Sequence, residues 1–147
     1  MAITTNAICN SFKKELLQGS HDFDASTDTY KLAMYTSLAT LGASTENYIT
    51  GNEVTSSSYT AGGKALVNQG VKMSSAVAIT SFANVSWTGV TLSARGSLIY
   101  NTQTNGGTGT TDAVCVLDFG GVKTATSGTF TIQFPANTSS AAILRLT

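Results

Sequence analysis

The stretch DAVCVLDFGG, residues 112–121, decides the fold of this chain. Its apolar residues alternate along the sequence, as they do in an extended strand whose successive side chains point to opposite faces. Val114 and Val116 project to one face, and Cys115 and Leu117 project to the other. Glycines follow directly and end the pattern. This alternation predicts a strand with a buried face.

A second stretch, SGTFTIQFP at residues 127–135, repeats the pattern with larger side chains. Phe130, Ile132 and Phe134 alternate with threonine and glutamine, which predicts one apolar and one polar face. Pro135, the only proline in the chain, comes at the end of the stretch, where its missing amide costs no ladder hydrogen bond. These two stretches are the firmest strand predictions.

Five further segments have strand character and are separated by Gly, Ser and Asn. They are TYKLAMYTS (29–37), GGKALVNQGVKM (62–73), SSAVAITSFANVSW (74–87), TGVTLSARGSLIYN (88–101) and AAILRLT (141–147). Helical patterns do not alternate with them, which argues against a parallel α/β sheet. We therefore predict a single all-β domain over residues 1–147, a mainly antiparallel, jelly-roll-like β-sandwich of about eight strands between about 29 and 147.

One short N-terminal helix is predicted at about residues 5–18. Its apolar residues recur every four positions: Ile8, Phe12 and Leu16. Thr5 or Asn6 is suited to cap the helix start, and Gly19 is suited to end it in a left-handed conformation. Such a stripe can dock on a membrane or a partner, but a single helix beside many strands more often covers a β core.

The composition of the chain argues against nucleic-acid binding and against a membrane span. Charged residues make up 11% of the chain, and the eight basic residues balance the eight acidic ones. A neutral chain without a basic stripe is not expected to bind nucleic acid. No apolar run reaches the length of a membrane span, and the first residues do not follow a signal-peptide pattern, so we expect synthesis in a cytoplasm.

The two cysteines, Cys9 and Cys115, lie far apart without metal-ligand spacing. In a reducing compartment, we expect two buried free thiols rather than a disulfide.

The stretch 21–37 holds the only histidine and three acidic residues: His21, Asp22, Asp24 and Asp28. As a calcium loop it fails, because Thr27 stands where glycine is required and Ala33 where a bidentate glutamate is required. A zinc site needs more histidines or cysteines. Asp and Ser side chains favour turns by bonding nearby backbone amides, so we interpret the stretch as a corner between helix and first strand.

Paired carboxylates suggest a glycosidase-like hydrolase, with four candidates: Glu15, Glu46, Glu53 and Asp118. Asp118 and Glu53 are the residues on which a small hydrolase would depend. The structural alternative, which we favour, is that Asp118 is buried and accepts a bond from Arg95 or Lys123. No nucleophile with a base has a local signature, and we assign no catalytic, cofactor-binding or metal residues.

Three other features have structural explanations that we prefer. The glycine pairs of AGGKAL and FGGVKT lack the frame of a phosphate loop and indicate tight turns. Trp87 and the five tyrosines suit a stacking platform for sugars or bases, but scattered aromatics more often fill a sandwich core. NTQTNGGTGTT, residues 101–111, is predicted as a flexible exposed loop.

Several of these segments together resemble small virion proteins of tailed bacteriophages. The resemblance lies in AICNSFKKELLQGSHDF, DTYKLAMYTS, YTAGGKAL, ARGSLIYN and VLDFGGVKTATSGTFTIQFP, and it spans nearly the whole chain. None of these segments carries chemistry, so the resemblance transfers no catalytic or ligand residues. It implies a structural protein of the phage particle, most like a head decoration, or cement, protein.

A cement protein bridges major capsid subunits on the outer shell, and its partners would be the major capsid protein and copies of itself. We expect a homo-oligomer, a dimer or a trimer, with no nucleic acid or membrane as partner. Two alternatives remain. One is a tail or fibre component that binds host-surface carbohydrate through Trp87 and exposed tyrosines, and the other is the small hydrolase.

Overall fold

A computed structural model describes residues 3–24, 28–102 and 111–147. Within these ranges the protein is mainly β, with antiparallel sheets and one short helix. The elements are β1 (Ala7–Ile8), α1 (Asn10–Leu17), β2 (Tyr30–Tyr35), β3 (Lys64–Ala65), β4 (Asn68–Ser74), β5 (Val77–Phe82), β6 (Val85–Asn101), β7 (Asp112–Ile132) and β8 (Leu144–Leu146).

Five strands form the larger sheet, in the order β1-β7-β6-β2-β3. Its centre is a long ribbon in which β6 and β7 pair over nearly their whole length, from Asn101 opposite Asp112 to Val85 opposite Ile132. The two firmest strand predictions, 112–121 and 127–135, are therefore parts of one strand. The segments 74–87 and 88–101 also meet within β6.

The strand breaks expected at glycine and serine are bulges inside continuous strands. The ladder changes register between Trp87 and Val90, where Gly89 has φ +63°. Similar shifts on β7 coincide with left-handed backbone at Gly120 and Ser127. A bulge inserts an unpaired residue and bends the strand without ending it. Glycine and serine at these positions therefore look like turn residues in the sequence but do not break the strand.

Three strands form the smaller sheet, in the order β4-β5-β8. A tight turn at Ser75 and Ala76, both with positive φ, joins β4 to β5. Strand β8 pairs with β5 through Leu144 opposite Thr80 and Leu146 opposite Ala78. The predicted C-terminal strand is therefore tied into a sheet edge.

The helix begins later than predicted. Residues 7 and 8 pair with β7 rather than joining the helix, because Cys9 N–H donates to the Val114 carbonyl and keeps this segment extended. Neither Thr5 nor Asn6 caps the helix. The N-cap is Cys9, and Asn10 N–H instead donates to the Ala43 carbonyl at 2.8 Å.

The end of the helix is as predicted. Gly19 follows the C-cap residue with φ +75°, and its N–H donates to the Leu16 carbonyl. No helix within the described ranges is long and apolar enough to cross a membrane.

One cluster of buried hydrophobic residues connects the two sheets and the helix. It contains Phe12 from α1, Leu32 and Met34 from β2, Phe82 from β5 and Leu144 from β8. Strand β2 is buried on both faces except at Lys31, so the alternation in TYKLAMYTS does not separate core from solvent. The helix covers part of the core, as expected.

Both cysteines are buried free thiols, as predicted. Burial raises the pKa of Cys9 to about 12, and it raises the pKa of Cys115 still further. Because each pKa unit is a factor of ten, the thiolate fraction of Cys9 near neutral pH is about a thousandfold below that of an unperturbed thiol.

We expect the folded protein to resist alkylation at both cysteines. Iodoacetamide at about pH 8 should leave the native chain unlabelled and label both thiols once urea unfolds it, because only the thiolate is nucleophilic. Intact-mass spectrometry reads the number of labels. Rapid labelling of the native chain would contradict this arrangement.

Candidate functional site

The corner at His21 is a buried hydrogen-bond network. His21 Nε2 lies 2.8 Å from Glu15 Oε2, and its Nδ1 lies 3.0 Å from Asn101 Nδ2. Asn101 Nδ2 also donates to Asp28 Oδ2 at 2.9 Å. All four side chains are buried. The network joins the helix, the corner and the end of β6.

This geometry fixes the histidine tautomer. The carboxylate of Asp28 accepts only, so the Asn101 amide must present its NH₂ group to both neighbours. His21 Nδ1 therefore accepts, and the proton sits on Nε2, from which it is donated to Glu15. Both ring nitrogens are used within the fold.

The corner interpretation is confirmed at the described residues. Asp28 Oδ2 accepts from Asp22 N–H at 2.8 Å, and Asp22 Oδ1 accepts from Asp24 N–H at 2.9 Å, as turn-forming carboxylates do. Residues 25–27 lie outside the described ranges. Within those ranges, no group of three or more His, Cys, Asp or Glu side chains is placed to hold a metal ion.

The prediction of an exposed loop at residues 101–111 is wrong at its first residue, Asn101. Asn101 is fully buried and belongs to β6, where it completes the network around His21. Next to it, Thr102 N–H donates to the Thr29 carbonyl. Residues 103–110 lie outside the described ranges. Asn101 was included in the loop because the segment is rich in Asn, Thr and Gly. The sequence does not distinguish an asparagine that has a buried hydrogen-bond partner from one in a turn.

Glu53 is the second buried carboxylate, and tyrosine hydroxyls surround it. Tyr48 OH donates to its Oε2 at 2.6 Å, and Tyr59 OH and the Gly62 amide donate to its Oε1 at 2.7 Å each. Tyr59 OH also accepts from Met34 N–H at 2.9 Å. Glu53 thereby anchors the segment between β2 and β3, a structural role that its sequence context, in which it was only a hydrolase candidate, does not indicate.

Asp118 forms an ion pair with Arg95 across the β6–β7 ribbon, as the structural interpretation predicted, although it is half-buried rather than buried. The hydrogen bond from Arg95, with that from the Gly120 amide, lowers the pKa of Asp118 below its usual 3.8. Its carboxylate is held by these donors at a bulge.

The pair proposed for a hydrolase, Asp118 and Glu53, has separate hydrogen-bond partners: the carboxylate of Glu53 accepts from tyrosine hydroxyls and an amide, whereas that of Asp118 accepts from Arg95 and an amide. Glu53 bridges to Tyr35, Tyr35 pairs with Gly96, and Gly96 pairs with Asp118. Three strand spacings of about 4.8 Å therefore separate the two backbones by about 14 Å. Of the other candidates, Glu15 belongs to the His21 network and Glu46 is exposed.

The Asp118–Arg95 pair predicts a pH-dependent effect of Asp118→Asn. Since the folded pKa is lowered, the stabilisation is present above the unfolded value of 3.8 and is lost as pH falls through the folded value. Urea unfolding should show a small deficit for the variant near neutral pH that shrinks as the pH is lowered below 3.8. Glu46→Gln, at an exposed carboxyl, is the control; a deficit independent of pH would contradict the assignment.

The aromatic platform considered for carbohydrate has no exposed tyrosines to use. Trp87 is buried beside Tyr59, and four of the five tyrosines are buried, while Tyr48 is half-buried and stacks on Tyr100 at 4.7 Å. Lys64 covers the Trp87 ring with its Nζ 5.7 Å from the centroid. These rings are packing residues.

A groove lies between helix α1 and the smaller sheet. We call it the α1–β8 groove. Its cavity has a volume of about 680 Å³, and its walls include Ile8, Phe12 and Leu16 on one side and Ala78 and Leu144 on the other. A volume of this size falls within the range of binding pockets.

One face of the smaller sheet continues the groove into solvent. Paired residues share a face, so Val71, Met73, Ala78 and Leu146 lie together with Thr80 and Leu144. Thr80 and Leu144 are buried, whereas Met73 and Leu146 are 67% and 61% exposed. Leu17, at the end of α1, is 92% exposed at the rim. This apolar surface is the candidate functional site. Of its apolar residues, only those of the helical stripe could be recognised from the sequence as a possible docking surface.

Comparison with protein-family models, with curated proteins and with solved structures finds no match to this chain.

Proposed function

We propose that this chain is a structural protein of a tailed-bacteriophage particle. In the finer form of the proposal it is a decoration, or cement, protein that bridges major capsid subunits on the outer surface of the shell. The proposal begins from the resemblance of nearly the whole sequence to small phage virion proteins. Among the structural observations, the exposed apolar surface around the α1–β8 groove carries it.

The apolar surface supports a role in assembly because soluble monomers rarely leave such surfaces open. Leu17, Met73 and Leu146 are among the most exposed apolar side chains of the described residues. Leu17 and Leu146 line the groove, and Met73 shares a sheet face with Leu146. The rest of the fold is stabilised internally by two buried polar networks and a continuous core. A scaffold stabilised in this way, with an open apolar surface, suits a protein that binds neighbours.

Charge supports a position on the outside of a shell. The chain has no net charge, so neighbouring copies do not repel one another strongly. The outward face of the β6–β7 ribbon instead pairs hydroxyl groups, Ser86 with Thr131 and Ser93 with Thr124, each at 2.8 Å. A component that faces packed DNA would be expected to be basic.

The proposed mechanism is multivalent bridging. Each copy makes a modest apolar contact with its neighbours, and the symmetry of the shell repeats that contact many times. Linked contacts of this kind can exceed the single affinity by about 10² to 10⁴. Clamping neighbouring subunits together opposes the outward pressure of the packaged genome.

We further propose that the two sheets pack as a jelly-roll-like sandwich. Support comes from the shared core, in which Phe82 and Leu144 of the smaller sheet join residues of the larger one. Phe82 lies 5.7 Å from Tyr30 between ring centroids. An experimental structure of the purified chain tests this arrangement through the sheet-to-sheet distance of about 10 Å.

Add-back of the purified protein to capsids that lack it tests the function. Particles from a phage carrying a deletion of its gene should bind the folded chain saturably and should then withstand higher temperature before releasing DNA. Chain that has been unfolded and alkylated at its cysteines serves as the control. Binding only at the tail, or only to host-surface carbohydrate, would overturn the capsid role.

A further inference from the structure

We propose that the α1–β8 groove is the site at which a second copy of this chain binds, forming a two-fold symmetric dimer. The inference deepens the proposed assembly role by naming the partner of the open apolar surface. The place of the dimer on a phage particle rests on the proposed function. Formation of the dimer does not, and it can be measured on the purified chain.

The smaller sheet has one apolar face that changes from buried to exposed along its strands. The face that begins at buried Thr80 and Leu144 continues through Ala78 to Leu146, which is 61% exposed. The neighbouring strand repeats this, with Met73 opposite Ala78 and 67% exposed. The apolar face of this sheet is therefore longer than the part that packs against the rest of the chain. Charged Lys72 and Arg145 lie in the alternate register, opposite Ile79, and of these two Arg145 also lines the groove.

The apolar surface contains both a recess and a protrusion. An isologous interface uses the same patch on both subunits, so that patch must be complementary to itself. The recess is the groove, with a cavity of about 680 Å³. The protrusion is Leu17, which is 92% exposed at the groove rim. Two-fold symmetry allows each Leu17 to enter the groove of the other copy.

The rim of the groove carries charges of both signs. Lys13 on the helix and Arg145 on β8 line it, as does Asp22 at the corner, with exposed Asp24 next to Asp22. Lys13 Nζ contacts Asn10 Oδ1 at 3.4 Å and forms no ion pair with a described residue. Mixed rim charges around an apolar centre favour a partner of the same neutral composition over a strongly acidic or basic one.

Sedimentation equilibrium of the purified full-length chain, with Leu17→Lys beside Leu38→Lys, tests the proposal. The two substitutions are identical, and Leu38 is 76% exposed outside the groove. Lysine near a helix C-terminus is favourable, so Leu17→Lys should leave the fold intact, which circular dichroism verifies. We expect a wild-type dimer, a dissociation constant raised at least about tenfold by Leu17→Lys, and no change from Leu38→Lys.

Met73→Lys is the second variant, at a solvent-facing strand position, and it should weaken the dimer similarly if Leu17→Lys proves unfolded. A monomeric wild-type chain at all accessible concentrations would overturn the proposal, as would equal weakening by Leu38→Lys. A monomer that binds purified capsid protein through the groove would assign the groove to that partner instead. A dimer that is absent from purified virions would overturn the phage role and leave the interface standing.

Discussion

Replacement of Gly63 by alanine is expected to destabilise the protein by at least about 3 kcal/mol, enough to unfold a large fraction of a marginally stable domain. Gly63 has φ +78°, a conformation that costs an L-residue about 1 to 2 kcal/mol. A methyl group added there would also lie 1.8 Å from the Leu32 carbonyl oxygen and 2.5 Å from its carbon. Since both contacts are backbone, β3 must separate from β2.

Alanine substitutions at two other glycines distinguish the cost of the positive φ from the cost of the steric clash. Gly89 has φ +63° but open space around its Cα, so Gly89→Ala should cost only the conformational part, about 1 to 2 kcal/mol. Gly121 has neither positive φ nor a close neighbour, and Gly121→Ala should stay within about 0.5 kcal/mol of wild type. Urea unfolding measures all three. A Gly63→Ala variant as stable as Gly121→Ala would contradict the described packing of β3.

Removal of the Glu53 carboxylate is the second large effect, because Glu53→Ala leaves three donors without their acceptor. The hydroxyls of Tyr48 and Tyr59 and the Gly62 amide all point at this carboxylate. Hydrogen bonds to charged groups contribute about 1.5 to 3 kcal/mol each, and buried donors left unsatisfied add a penalty. We expect a loss of about 3 to 5 kcal/mol in urea unfolding.

The controls distinguish a structural carboxylate from a catalytic one. Glu53→Gln keeps an acceptor oxygen and should cost about 1 to 2 kcal/mol. Glu46→Ala removes an exposed carboxylate and should cost almost nothing. If Glu53 is a structural anchor, Tyr59→Phe and Glu53→Ala should be strongly non-additive, since they remove the same bond. Additive losses would contradict the network.

The sequence predicted the mainly β, antiparallel class because alternation of apolar residues is a local signal. Phe130 and Ile132, for example, show which face of β7 is buried. It failed where tertiary contacts override local preference. Gly89 and Ser127 are turn residues by type, yet pairing with a partner strand turns them into bulges. Ile8 fits the helical stripe but pairs with Cys115.

The buried polar residues and the open surface were harder to predict. A carboxylate such as Glu53 gives no local sign that three donors from distant turns will surround it. Asn101 and His21 are 80 positions apart and meet only through the β2–β6 pairing. The exposure of Met73 and Leu146 is also invisible in a strand pattern, since alternation indicates an apolar face without saying whether the chain itself covers that face.

A cryo-EM map of the intact phage particle tests the central claim, that this chain is a virion structural protein of the outer shell. We predict density for its two antiparallel sheets on the shell exterior, repeated with the symmetry of the capsid lattice and contacting major capsid subunits. Particles whose shell carries no such density, together with virions in which mass spectrometry detects no trace of the chain, would contradict the claim.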